Sequence, residues 1–221
     1  MQHIDHYLDV MSKCHLFTDM NKKQVNRALK VMDHQYCEYR KNQYIHRSDE
    51  SFQRFGLVLY GRVKVMIDDI QGDSAIMSEV SSGKTFGESL CLMEREDSNV
   101  YILAAEDTGV LWLSPRELFQ ESKDLLVLEL ERRFVEMLAS RTLAMNDRIQ
   151  ILSKRTLREK IITFLTFSKR DAGGNRIDIP FTREEMAIYF GTNRSALSRE
   201  LSNLKKEGLI DFNRNHFMIM F

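Results

Sequence analysis

A chain of 221 residues with 43% hydrophobic content can bury the core of one large domain or of two ordinary ones. No segment approaches the ~18 apolar residues of a membrane-spanning helix, and the opening MQHIDHYLDVMSK carries acids and no signal-peptide run, so a cytoplasmic protein without a membrane partner is expected. Net charge is +0, yet residues 148–221 hold 14 Lys and Arg against 8 Asp and Glu, a net +6 balanced by −6 in residues 1–147, and a basic C-terminal part of this kind points to a polyanion.

Residues 7–32 repeat apolar side chains at three- and four-residue spacing, which predicts short helices. The pattern then changes to alternation. GLVLYGRVKVMIDD places Val63, Val65 and Ile67 on one face and Arg62, Lys64 and Met66 on the other, with later strands at NVYILAAED and GVLWLS. Many short strands with glycine turns predict a compact antiparallel roll or barrel.

LSPRELF reads as a helix start, with Ser114 as cap, Pro115 at the first helical position and Glu117 completing a capping box. From there to Leu152 no Gly or Pro intervenes, and Val135, Leu138, Thr142, Met145, Ile149 and Leu152 fall at alternating three- and four-residue steps. A seam of period 3.5 predicts pairing with the same helix of a second chain; packing on its own domain is the competing reading. RTLREKIITFLTFSKR predicts a further helix and DAGGN a turn. The expected segments are an N-terminal roll at 1–114, a dimerisation and connecting helix at 115–152, and a basic C-terminal domain at 153–221.

In FTREEMAIYFGTNRSALSRELSNLKKEGLI, Thr182 and Glu185 form a capping box, Gly191 ends the helix, and Asn193 caps a second one starting at Arg194. Leu197, Leu201 and Leu204 turn inward, which leaves Arg194, Ser195, Ser198, Arg199 and Ser202 on the opposite face. Short polar side chains around arginines allow close approach to phosphates and to a guanine edge, as in the recognition helix of a helix-turn-helix. LIDFNRNHFMIMF predicts a β-hairpin wing turning near residues 213–215.

With GLVLYGRVKV, GKTFGES, AAEDTGVLWLS and TREEMAIYFGTNRSALSREL in this order, the whole chain resembles the Crp/Fnr family of bacterial transcription regulators. The resemblance implies an α+β fold: an N-terminal antiparallel β-roll of the cyclic-nucleotide-binding type, a long dimerisation helix and a C-terminal winged helix-turn-helix. It implies a homodimer on palindromic double-stranded DNA, with RNA polymerase as a further partner and a small-molecule effector yet to be identified. Thr182, Asn193, Arg194, Ser195, Ser198, Arg199 and Ser202 form the expected DNA-binding set. Arg199 falls where relatives contact a guanine, and Arg194 where they contact phosphate or base. Ser195 stands where the best-known members carry glutamate, so the operator is expected to differ at that base pair.

Gly87, Glu88 and Ser89 match the loop that cradles a cyclic phosphate in cyclic-AMP-binding relatives, but the positions of their arginine and serine are here Ser98 and Asn99. Losing the guanidinium forfeits a charge-assisted pair of roughly 1.5–3 kcal/mol, which argues against cyclic AMP unless Arg95 substitutes in a shifted loop. An iron–sulfur cluster needs four thiolates, and the chain has only Cys14, Cys37 and Cys91. Haem stays open, with six histidines and no spacing that selects a pair. No paired carboxylates, nucleophile–base motif or metal spacing marks an enzyme. The alternative function is a ligand-binding module whose C-terminal helices dock a protein.

Overall fold

The computed structural model describes residues 4–68, 74–93, 99–179 and 181–221. Contacts divide the chain into two units, Met1–Ala139 and Ser140–Phe221. Among the described residues no helix is long and apolar enough to cross a membrane.

Short helical turns open the first unit, as the spacing predicts: a 3-10 turn at Ile4–Tyr7, α1 (Leu8–Met11), a second 3-10 turn at His15–Phe17, and α2 (Lys22–Val31). A reciprocal capping box starts α2. The Gln24 N–H donates to Asn21 Oδ1 at 3.0 Å, and the Asn21 N–H donates to Gln24 Oε1 at 2.9 Å. The strands follow as β1 (Gln35–Tyr39), β2 (Tyr44–His46), β3 (Phe55–Tyr60), β4 (Arg62–Asp68), β5 (Ser74–Ser81) and β6 (Thr85–Phe86). After α3 (Glu88–Met93) come β7 (Val100–Ala104) and β8 (Thr108–Leu113).

These strands form two antiparallel four-stranded sheets, ordered β1-β8-β3-β6 and β2-β7-β4-β5, around one core. Consecutive strands β3 and β4 therefore belong to different sheets. Gly61 makes the crossing at φ +76°, and a Cβ there would lie 2.5 Å from both Asp107 O and Thr108 Oγ1, so the corner requires glycine. On β4, Val63 is fully buried, whereas Val65 and Ile67 are half-buried on either side of an irregular register at Val65–Met66.

The helix expected from residue 115 begins later. Arg116–Phe119 is a single 3-10 turn, and the long helix α4 spans Leu125–Leu152. Ser114 Oγ accepts only a long 3.4 Å bond from the Arg116 N–H, and Glu117 accepts from Gln120 instead of closing a box. The physical reason is tertiary: Leu118 is fully buried in the roll core, and the Phe119 ring meets Phe134 edge-on at 5.9 Å. Asp124 starts α4 by accepting from the Leu126 N–H at 3.0 Å. Leu130, Phe134 and Met137 bury one stripe of α4 in the first core.

In the second unit, Thr156 and Glu159 form the capping box of α5 (Leu157–Ala172), and Gly173 ends that helix at φ +65°. β9 (Arg176–Asp178), α6 (Arg183–Phe190), α7 (Arg194–Lys206), β10 (Ile210–Asn213) and β11 (His216–Ile219) complete the chain. The small sheet is ordered β10-β11-β9, and its hairpin turns at Arg214–Asn215, where Arg214 takes φ +52°. Ile161, Leu165, Met186, Phe190, Leu197, Leu201, Leu204 and Phe217 share the second core.

Candidate nucleic-acid interface and effector loop

Helices α6 and α7 acquire their angle from local chemistry. The Glu185 N–H donates to Thr182 Oγ1 at 3.2 Å and the Thr182 N–H donates to the Glu185 carboxylate at 2.7 Å, which fixes the start of α6. Gly191 ends α6 in the left-handed region at φ +66°, and Asn193 Oδ1 accepts from the Ala196 N–H at 2.8 Å to begin α7 two residues later. Lys160 Nζ donates to the Phe190 carbonyl at the end of α6 at 3.3 Å, a cation against the negative end of the helix dipole. Arg158 on α5 reaches Glu200 at 3.2 Å and Glu207 Oε1 at 2.9 Å, tying α5 to α7.

Along α7, Leu197, Leu201 and Leu204 are fully buried. Arg194, Ser195, Arg199 and Ser202 are exposed and Ser198 half-buried on the other side. The two arginines differ. Arg194 is held in an ion pair by Glu184 of α6, whereas Arg199 makes no ion pair or hydrogen bond among the described residues. Ser202 Oγ donates back to the Ser198 carbonyl at 2.9 Å.

The wing is anchored by a residue that sequence reasoning missed. Arg183 lies 5.1 Å from the ring centroids of both Phe212 and Phe217 and donates to the Arg214 carbonyl at 2.8 Å, so the first residue of α6 holds the hairpin turn. Burial lowers its pKa from the ordinary guanidinium value. Its signal in sequence is only an arginine after a helix cap, which carries no hint of the hairpin 30 residues on.

On α4 the expected seam forms an outward stripe. Val135 is 50% exposed, Met145 64%, Ile149 62% and Leu152 38%, and Thr142 is also exposed, while Leu138 is half-buried against the first core. Leu128, one heptad before Val135 and also exposed, extends the same stripe and was legible by spacing.

In the loop expected to meet an effector, Gly87 takes φ +81° and lies against the Phe52 ring; Glu88 is fully buried at the start of α3, and Ser89 beside it is exposed. Asn99 is exposed just before β7. Ser98 and Arg95 lie outside the described residues. Cys14 and Cys91 are buried and Cys37 half-buried, and none of the three is in a disulfide among the described residues.

A family model for the Crp-like helix-turn-helix domain matches residues 159–220, and one for the cyclic nucleotide-binding domain matches residues 36–123. The transcriptional activator protein FnrL of Cereibacter sphaeroides is 36% identical over 88 residues, a match that spans 36% of this chain and only 36% of that relative. The cyclic AMP receptor protein of Thermus thermophilus is 25% identical over 198 residues, covering 88% of this chain and 87% of the relative. Among solved structures, the Thermus thermophilus catabolite activator protein aligns with a TM-score of 0.52 at 24% identity over 93% of each chain. A CooA mutant from Carboxydothermus hydrogenoformans aligns with a TM-score of 0.57 at 21% identity, over 91% of this chain and 92% of the other. These two structures share the fold. With both domain models matched in order along one chain, and with the antiparallel roll, long helix and winged helix pair in place, the protein belongs to the Crp/Fnr family of transcription regulators.

Proposed function

We propose that this regulator pairs through the outward stripe of α4 and reads a palindromic operator with α7. A small-molecule or redox signal in the N-terminal roll sets how the two α7 helices are presented. The observation that carries this reading is the division of α7 into a fully buried leucine face and an exposed face of short polar side chains around Arg194 and Arg199. Two such helices must reach half-sites about one DNA turn, ~34 Å, apart, and paired α4 helices supply the two-fold relation. Residues 1–114 serve as the sensor, 115–152 as the connection and 153–221 as the DNA reader. RNA polymerase is the further partner such a complex would engage.

The sensor does not take cyclic AMP in the way its cyclic-AMP-binding relatives do, because serine replaces the arginine at position 98. Ser195 in place of glutamate supplies no carboxylate for a cytosine amino group, so that base pair is read differently.

The test is operator selection from random duplex DNA, followed by titration of the selected site at several salt concentrations. DNA reading gives a palindromic consensus and a log–log salt slope near −0.9 per phosphate neutralised. No consensus, together with salt-tolerant capture of a protein through the C-terminal helices, would overturn it.

A further inference from the structure

A cavity of about 650 Å³ opens in the N-terminal roll between β1 and the segment joining β2 to β3. Tyr39, Phe52 and Trp112 give it π-faces, and Cys37, His46 and Arg54 contribute to its lining. This is an ordinary volume for a small-molecule pocket.

His46 is only 6% exposed, and its Nε2 has no hydrogen-bond partner. Buried polar atoms are rarely left so. Its other ring nitrogen, Nδ1, lies 3.7 Å from the Glu50 carboxylate, which favours the tautomer with the proton on Nδ1 and leaves Nε2 as a lone-pair acceptor. Tyr39 already accepts from Trp112 Nε1 at 3.0 Å. The Arg54 guanidinium is engaged by Gln35 at 2.9 Å and by Asp33, so an anion would have to displace both. Among the described residues no group of three His, Cys, Asp or Glu side chains is placed to hold a metal ion. Glu50, Ser51 and Gln53 also line the cavity but are exposed, and the Glu50 carboxylate accepts from the Arg47 N–H at 3.1 Å, so the buried chemistry is aromatic surface and one acceptor.

We propose that this cavity binds a small uncharged aromatic molecule that donates one O–H or N–H to His46 Nε2. The site is linked to the effector loop by a single ring. Phe52 lies 3.6 Å from His46 between ring centroids, and the same ring fills the space beside Gly87. A molecule that displaces or braces Phe52 thus acts on the start of α3. This inference rests on the cavity alone and stands apart from the reading of DNA by α7.

Trp112 is the chain's one tryptophan and lines the cavity, so its emission in the full-length protein reports occupancy directly. The probes are phenol and toluene, which match in shape and differ in the donor. The expected result is a saturable change in Trp112 emission with phenol and about tenfold weaker binding of toluene, the value of one buried hydrogen bond. His46→Phe should weaken phenol about tenfold, and Cys37→Met, which fills the cavity from β1, should block it. If His46→Phe does not fold, the Nε2 chemical shift of His46 in the unsubstituted protein decides: it must move along the phenol saturation curve. Absence of saturable change, equal affinity for phenol and toluene, an unmoved Nε2 shift, or phenol binding that survives Cys37→Met unaltered would overturn the proposal.

Discussion

Phe52 occupies the space in which Gly87 would carry a side chain: a Cβ on Gly87 would lie 2.7 Å from Phe52 Cε1 and 3.1 Å from Cδ1. The segment before β3 and the start of α3 are thereby held in register by one aromatic ring. Gly87 is also at φ +81°, where a side chain is strained whatever the space. Gly87→Ala should therefore cost about 2–4 kcal/mol, from backbone strain and overpacking together. Urea unfolding should show a lower midpoint at unchanged slope, and the cost should shrink in a Phe52→Ala background, where the overpacking is relieved but the strain remains.

His46 gives the roll a pH dependence. Burial, the largest influence, holds its pKa below the ordinary 6.5, against the raising effect of Glu50. As pH falls through 6.5 the unfolded chain takes up the proton first, so the folded state is fully favoured above that pH and loses stability below it, down to the folded pKa. Relative to His46→Gln, the unsubstituted protein should lose ground as pH drops below 6.5 in denaturant titrations. Parallel pH profiles would show that His46 is not buried in its neutral form.

The stripe on α4 predicts an oligomeric effect separable from folding. Ile149 is 62% exposed and contributes nothing to either buried core. Ile149→Lys should convert a dimer to a monomer in sedimentation while leaving the unfolding midpoint of dilute protein nearly unchanged. Retention of the dimer would place the interface elsewhere.

Arg199 and Arg194 should behave differently on DNA. Arg199→Ala should cost ~1–3 kcal/mol on the selected operator and relax preference at one base pair per half-site, with little effect on random duplex. Arg194 starts from an ion pair with Glu184 that DNA must exchange for phosphate. Arg194→Ala should weaken operator and random DNA alike and flatten the salt slope by about one unit per site. Binding titrations over a salt series measure both.

Much of the candidate interface is legible because its signals are short-range. Thr182 with Glu185, Gly191 and Asn193 specify two helices and their turn by contacts within three or four residues. The leucine spacing of α7 then dictates which side faces out. The same reasoning misplaced the start of α4: Ser114, Pro115 and Glu117 have the composition of a helix cap, but burial of Leu118 and the Phe119–Phe134 contact hold that segment as one turn. Local preference of a fraction of a kcal/mol per residue yields to burial worth roughly 1.5–3 kcal/mol for a large side chain.

The amino-acid sequence by itself determined the caps of α6 and α7, the heptad stripe of α4, the two faces of α7 and the family, since each depends on residues close together in the chain or on motifs in order. Only the tertiary structure decided that Gly61 carries β3 and β4 into different sheets, that β1 pairs with β8 some 70 residues away, that Arg183 clasps the wing, and that Phe52 joins His46 to Gly87. Those relations bring together residues whose separation along the chain carries no periodic signal. They are settled by which side chains fill a shared space once the cores close, a competition among distant groups that no local pattern records.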